Sequence, residues 1–336
     1  VANSKTSRLP TDLRTCRHLL VQSETKRPQD PLRRVVDVEL NSEHRDETGG
    51  QLAGPGARLP YRLGLPAWAF PAWRSQYFPT NHTPLAGYAR VFNAVEGNTT
   101  FYRVPEPRTV RGWLAALRGT DFRFCFKLPR EITHEGAKDA KLLITFLQAI
   151  EPLGEHVGPL LLQFPAWVGP DELAGFETLF ARLSADHQHV LEVRHPAFFT
   201  QPEILDDTLE RYGLGRVVLD SRALYEGDRS HPEVLEALHE KPDLPVRPVI
   251  YNDLSFTRLI LHPDRVSNGP YLHEWAERIA AHLAERVPSW IMIHCPNNGH
   301  CPELALRFHR ILQARVAAPG LPDLPPWPVP QQAALL

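Results

Sequence analysis

This sequence of 336 residues contains few cysteines and lysines, has no long apolar run and carries almost no net charge. Four cysteines are too few for a disulfide framework in a chain of this length, so free thiols in a reducing, cytoplasmic location are expected. No apolar run approaches eighteen residues, and the first residues lack the apolar stretch of a secretory signal, so membrane association is not expected. The formal net charge of -2 disfavours charge-driven attraction to nucleic acid.

Two regions of different composition follow one another along the chain. Residues 1–58 mix charges of both signs with several prolines and contain no sustained apolar period, so a disordered N-terminal tail is predicted. Residues 59–336 are predicted to form a single domain that ends in a proline-rich tail over 319–330. A hydrophobic content of 43% is sufficient for that domain to bury a core.

Short β-type runs alternate with helical signals throughout the second region. Thr83-Pro84 and Tyr212-Gly213 are typical of a helix start and a helix end, respectively. The eight β-type runs lie near 62–68, 94–101, 123–128, 159–164, 190–195, 216–221, 256–262 and 290–295. This rhythm predicts a (β/α)8 TIM-type barrel. A doubly wound open sheet is the alternative, but neither G-x-G-x-x-G nor G-x-x-x-x-G-K-[ST] is present.

Alternation along each strand separates polar from apolar side chains. Because successive side chains point to opposite faces, one polar set is predicted to face the barrel interior near its C-terminal mouth, where barrel enzymes place their chemistry. This set comprises Glu96, Asn98, Lys127, Gln163, Glu192, Arg194, Asp220, Arg258, His262 and His294. The alternative interpretation is an ion-pair network that fills the mouth without any catalytic role.

Candidate metal and aromatic sites are weaker. His294-Cys295 and His300-Cys301 offer zinc-type ligands, but their spacing is not that of a zinc knuckle. Neither H-E-x-x-H nor the nucleophile elbow G-x-S-x-G occurs, so no cofactor or metal is predicted, with zinc or another divalent metal as the alternative. Trp68 belongs to an aromatic cluster after the first strand, which either packs over the barrel or stacks against a ligand ring.

Several motifs together resemble the YecE-like family, catalogued as domain of unknown function 72. They are L-G-L-P-A-W (63–68), V-E-G-N-T-T-F-Y (95–102), F-C-F-K-L-P-R-E-I-T-H (124–134), L-L-Q-F-P (161–165), E-V-R-H-P (192–196), D-S-R (220–222) and H-C-P-N-N (294–298). The resemblance covers roughly residues 62–330 and implies a barrel of the predicted type, with no established activity. The positions it adds to the candidate site are Tyr102, His134, His195, Asn297 and Asn298.

The predicted function is a hydrolase-like enzyme that acts on an anionic small molecule, such as a phosphate or carboxylate ester or a sugar derivative. Arg194, Arg258 and Lys127 would hold the anion. Glu96 or Glu192 would act as general base and His134 or His195 as general acid, with Asp220 as a further catalytic candidate. The other candidates would bind substrate; they are Trp68, Asn98, Tyr102, Gln163, His262, His294, Asn297 and Asn298. A nucleic-acid-binding or phosphodiester-processing protein and a non-catalytic metabolite-binding module are the alternatives.

Overall fold

All eight predicted strands are present in the protein. The computed structural model describes residues 58–78, 82–135, 140–317 and 320–325, so the predicted N-terminal tail up to residue 57 and the end of the C-terminal tail lie outside the described residues. The strands are β1 (Arg62–Leu65), β2 (Ala94–Gly97), β3 (Arg123–Phe126), β4 (Leu160–Gln163), β5 (His189–Glu192), β6 (Gly215–Asp220), β7 (Ser255–Ile260) and β8 (Ser289–His294).

Helices lie between successive strands. They are α1 (Pro71–Gln76), α2 (Pro84–Tyr88), α3 (Thr99–Tyr102), α4 (Pro107–Leu117), α5 (Arg130–Thr133), α6 (Ala140–Ile150), α7 (Pro170–Leu173), α8 (Glu177–Phe180), α9 (Ala197–Thr200), α10 (Pro202–Tyr212), α11 (Arg222–Glu226), α12 (Pro232–Glu240), α13 (Gly269–Ala284) and α14 (Cys301–Gln313). Thr83 caps α2 by accepting from the Ala86 amide, as predicted. Gly213 ends α10 in the left-handed conformation, as Tyr212-Gly213 predicted.

The strands form one parallel sheet that curls into a nearly closed barrel. Their order is β3-β2-β1-β8-β7-β6-β5-β4, so sequence neighbours pair everywhere except between β3 and β4, and β1 pairs with β8. The edges β3 and β4 meet through two backbone hydrogen bonds, Leu128 N to Leu161 O at 2.9 Å and Gly158 N to Phe124 O at 2.7 Å. This is the predicted (β/α)8 barrel rather than the open sheet.

An apolar plug fills the lower part of the barrel interior. Its members come from alternate positions of seven strands and the loop before β7: Ala94, Cys125, Leu161, Val190, Val217, Leu254, Phe256, Trp290 and Met292. Gly64 in β1 makes room for this plug, because a Cβ atom there would lie 2.7 Å from the Met292 sulfur. Since the plug excludes water below, polar side chains that point inward are confined to the mouth above it.

The connection from β6 to β7 departs from the simple strand-helix rhythm. The proline-rich stretch 241–248 follows α12 and leads back to β7. Arg194 Nη1 lies 3.3 Å from the backbone oxygen of Glu240, so the end of α12 reaches the mouth. Lys241 is thereby brought to the mouth from a loop.

Membrane association was not expected from the sequence. Among the helices that the structure describes, none combines the length and the apolar character needed to cross a bilayer.

Candidate active site

One arginine joins two buried carboxylates at the centre of the mouth. Arg258 in β7 donates from Nε to Glu96 Oε2 at 2.8 Å and from Nη2 to Glu96 Oε1 at 3.0 Å. Its Nη1 donates to Glu192 Oε2. Both carboxylates are fully buried and Arg258 is almost so. Three of the residues predicted to face inward therefore form one hydrogen-bonded unit from β2, β5 and β7.

Two further side chains complete the hydrogen bonds of this unit. His294 at the end of β8 lies with Nε2 3.0 Å from Glu96 Oε2. Arg194, just after β5, donates from Nε to Glu192 Oε1 at 2.8 Å and is the partly exposed member. Each carboxylate oxygen thus has a donor, which is the condition under which buried charge is tolerated.

Both carboxylates are held in the ionised form. Burial alone would raise the pKa of Glu192, but the Arg258 and Arg194 guanidiniums outweigh it and lower that pKa to about 2. For Glu96, burial is likewise outweighed by Arg258 and His294, and its pKa lies well below the usual range. A carboxylate that has a low pKa and whose oxygens are already engaged by cationic donors is a weak proton acceptor. Glu96 and Glu192 are therefore better suited to holding cations than to general-base chemistry.

Acid should weaken the fold through these carboxylates. A pKa lowered on folding gives stability that is complete above the unfolded-state pKa and lost as the pH falls, here from about 5 towards 2. We expect Glu192→Gln to lower the slope of the unfolding free energy against pH by up to about 1.4 kcal/mol per pH unit, the contribution of one titrating proton. Urea unfolding between pH 6 and pH 3 measures this slope. Glu177→Gln, at an exposed carboxylate, is the control, and equal slopes for the two variants would contradict the assignment.

Lys127 lies beside this unit, and its amine contacts an aromatic ring instead of a carboxylate. It follows β3, and its Nζ sits 3.7 Å from the centroid of the Phe101 ring. Among the residues that the structure describes, no hydrogen bond or ion pair reaches that Nζ atom. Burial, followed by repulsion from Arg194 and Arg258, lowers the Lys127 pKa to about 7. Thr100 holds the local backbone by donating to the Lys127 carbonyl at 2.6 Å.

Lys241 and His134 stand at the edge of the same unit. Burial and the charges of Arg194 and Arg258 lower the pKa of Lys241 to about 8, with Glu240 3.9 Å away as its partner. The His134 ring packs edge-on against Phe101, 5.0 Å between centroids, and burial next to Lys127 lowers its pKa to about 4. Sequence patterns did not indicate Lys241, because it lies in a loop where alternation carries no information.

A cleft of about 120 Å³ opens beside the mouth. His294, Ile260 and Lys241 line one part of it, and the carboxylate-bearing face of α12 lines another. That face carries Glu233, Glu236 and Glu240. His294 and Lys241 are thus the members of the mouth that border this cleft.

Asp220 does not belong to this group, and the prediction that it faces inward was wrong. Leu219 pairs with Arg258 and Asp220 with Leu259, so Asp220 lies on the outer face of β6. There it accepts from Trp275 Nε1 at 2.8 Å and from the Arg222 guanidinium at 2.7 and 3.0 Å. Its contacts fix helix α13 and the start of α11 against the barrel.

Other predicted site residues support loops instead of lining the mouth. Trp68 is buried outside the barrel, edge-on to Trp113 at 5.6 Å and to Phe124 at 5.7 Å between centroids. The prediction that His262 faces the interior mouth was also wrong: its Nε2 contacts the Asp228 carbonyl at 2.8 Å, and its Nδ1 accepts from the Asp264 amide. Asn98 donates to the Pro66 carbonyl at 2.9 Å.

The two asparagines after β8 shape the turn that leads into α14. Asn297 accepts from the Gly299 amide at 3.0 Å, and the Asn298 carbonyl accepts from Trp73 Nε1 at 2.9 Å. Asn298 also borders the cleft. Their placement makes Asn298 a candidate contact for a ligand and Asn297 a turn residue.

The remaining predicted residues lie around the mouth without joining the hydrogen-bonded unit. Gln163 pairs in register with Glu192 and so shares its inward face. His195 is half-buried, and its Nδ1 accepts from the Ala197 amide at 3.2 Å. Tyr102 is half-buried next to Phe101, with 5.1 Å between ring centroids.

No cluster suited to a metal stands out at this mouth. Within residues 58–78, 82–135, 140–317 and 320–325, no group of three or more His, Cys, Asp or Glu side chains is arranged to hold an ion. Cys295 and Cys301, the zinc alternative, are both buried free thiols, and burial raises the pKa of both. Such thiols are poor metal ligands because the thiolate is the binding form.

The chain is similar to a family profile and to two proteins of Escherichia coli. The profile described as "Protein of unknown function DUF72" matches residues 62–331. The UPF0759 protein YecE of Escherichia coli K12 is 35% identical over 280 residues, which cover 81% of this chain and 98% of that protein. Its counterpart in Escherichia coli O157:H7 is 34% identical over the same length.

Solved structures of two DUF72 proteins share the barrel. EF0366 of Enterococcus faecalis V583 superposes with a TM-score of 0.58 at 19% identity, covering 80% of this chain and 99% of that one. TM1631 of Thermotoga maritima MSB8 superposes with a TM-score of 0.56 at 23% identity, covering 75% and 98%. At these identities the likeness concerns the fold alone. With the profile match and the identity to YecE, the chain belongs to the DUF72 family.

Proposed function

We propose that the protein is an enzyme that binds an anionic small molecule at the C-terminal mouth of its barrel. The observation that carries this proposal is the charge imbalance around the Arg258 unit. Among the described residues, three cationic side chains share the mouth with two buried carboxylates: Lys127, Arg194 and Arg258 with Glu96 and Glu192. Lys241, the fourth cation at the mouth, has Glu240 as its partner. Unpaired buried cations are costly, and an anionic ligand would relieve that cost.

The anion is placed at Arg194 and Lys127 rather than at Arg258. The guanidinium of Arg258 is buried and already bonded to both carboxylates, whereas Arg194 is partly exposed, and its Nη2 donates to none of the described residues. Lys241 borders the cleft next to the acidic face of α12, which would repel an anion. A phosphate or carboxylate group at Arg194 would also lie within the field of Lys127.

Proton transfer is assigned to Lys127 and His134 in place of the glutamates. A lysine with a pKa of about 7 exists in both protonation states near neutrality, as general acid–base chemistry requires. His134 stays neutral at that pH and can donate or accept a hydrogen bond beside the same aromatic ring. The arrangement suits hydrolysis of an ester as well as other reactions of anionic substrates.

The proposal is tested by measuring the melting temperature of the protein with each of a panel of anions. We expect small phosphorylated or carboxylated metabolites to raise the melting temperature, because a ligand at about 100 times its dissociation constant stabilises by roughly 2.7 kcal/mol. Duplex DNA is included for the nucleic-acid alternative, which the net charge of -2 does not favour. Turnover assays on the protecting compounds then separate an enzyme from a binding module. Protection by DNA alone, or by no anion, would overturn the proposal.

A further inference from the structure

The surroundings of the Lys127 amine suit a nucleophile as well as a cation. It is buried to 9% exposure over the face of Phe101, while Glu96 and Glu192 beside it are fully engaged by other donors. Lysines become nucleophilic when they are desolvated or lie next to another cation, because both conditions favour the neutral amine. Here burial supplies the desolvation, and Arg194 and Arg258 supply the neighbouring positive charge.

We propose that Lys127 forms an imine with an aldehyde or ketone whose anionic group is held by Arg194. This rests on the proposed function and narrows its substrate class to anionic carbonyl compounds. The Lys127 nitrogen attacks the carbonyl carbon, the carbonyl oxygen leaves as water with the two amine protons, and a carbon–nitrogen double bond remains. Addition of water later restores both the amine and the carbonyl, so no oxidant or reductant is needed.

The other lysines differ from Lys127 in their surroundings. The sequence contains six lysines, so every one of them can be followed separately by peptide mapping. Lys241 is the closest match, since it is also buried at the mouth, but the Glu240 carboxylate lies 3.9 Å from its nitrogen. Lys141 on α6 is exposed and serves as the surface reference.

Reductive trapping at pH 7 tests the proposal. Glyoxylate, an anionic aldehyde, is incubated with the full-length protein and cyanoborohydride, and the modified lysine is located by mass spectrometry. We expect labelling of Lys127 at least about tenfold above that of Lys141, because an ordinary lysine holds only a trace of free amine at this pH. Acetaldehyde, which lacks the charge, should label Lys127 less, and Arg194→Ala should remove the difference.

Variants separate nucleophilicity from charge. Lys127→Arg keeps the cation and should lose trapping at the mouth while anion protection remains, whereas Lys241→Met should leave Lys127 labelling unchanged. Labelling of Lys241 or Lys141 to the same extent as Lys127 in the wild type overturns the proposal, and this readout does not depend on any variant folding. If anions protect the protein but Lys127 stays unmodified, the imine fails and the anion site stands. If no anion protects it, the proposed function itself fails.

Discussion

Replacing Arg258 with methionine is expected to destabilise the protein by at least about 3–5 kcal/mol, the usual cost of breaking a buried ion pair by removing one partner. The change removes three hydrogen bonds at once and leaves Glu96 with His294 alone and Glu192 with Arg194 alone. Urea unfolding at pH 7 measures the loss. The matched control is Arg211→Met, whose exposed pairing with Glu177 should contribute less than about 1 kcal/mol.

Neutralising the carboxylates should restore part of this loss. In the triple variant Glu96→Gln, Glu192→Gln and Arg258→Met, no buried carboxylate charge remains. Arg194 loses its carboxylate partner but is partly exposed, so stability should recover in part relative to Arg258→Met alone. A loss for Arg258→Met no larger than for Arg211→Met, or no recovery in the triple variant, would show that the three charges do not form the unit described.

Replacing Lys127 with methionine is expected to have the opposite effect and to stabilise the protein at pH 7. A cation whose pKa falls from 10.5 to about 7 on folding weakens the folded state. That cost is complete below pH 7 and declines as the pH rises towards 10.5, where both states are neutral. Removing it should therefore gain about 2–4 kcal/mol at pH 7.

The pH dependence provides the check on Lys127. Between pH 7 and pH 10, the unfolding free energy of the wild type should rise relative to that of Lys127→Met, because the unfolded wild type binds one more proton. Lys141→Met, at the exposed lysine, is the control. A Lys127→Met variant that is less stable than the wild type at pH 7, with parallel pH profiles, would mean that Lys127 is a structural cation. Residues kept at a cost in stability are typical of functional sites.

The sequence predicted the centre of the mouth well because strands of a barrel obey a simple geometric rule. Alternation places Glu96, Glu192 and Arg258 on inner faces, and parallel strands bring their C-terminal ends to one rim. A balanced set of charges on those faces then has to pair. The pairing itself, with Arg258 between the two carboxylates, depends on strand register and was not predictable.

The predictions failed beyond the ends of strands and where both faces of a strand carry apolar side chains. Val217, Val218 and Leu219 make both faces of β6 apolar just before its last residue, so the pattern did not reveal that Leu219, not Asp220, shares the inner face with Arg258. Trp68 and His262 lie beyond the ends of their strands, where the chain has already turned. Residues 99–102 form a helix rather than the end of β2, and that helix brings Phe101 under Lys127.

The family relationship does not by itself supply a reaction. DUF72 and UPF0759 are names for proteins without an assigned activity, and the solved relatives share only the barrel. A function for this chain therefore has to be inferred from the charges and contacts at the mouth. There we propose that Arg194, together with Lys127, forms a binding site for an anion.

Calorimetric titration of the most protective anion into the wild type and Arg194→Ala tests this claim most directly. Glu192 keeps its bond to Arg258 in the variant, so the fold should lose only about 1–3 kcal/mol. We expect the affinity for the anion to fall by at least about tenfold, or 1.4 kcal/mol, in Arg194→Ala and to remain unchanged in Arg211→Ala. Undiminished anion affinity in a folded Arg194→Ala protein would contradict the account and leave the mouth as a structural ion-pair network.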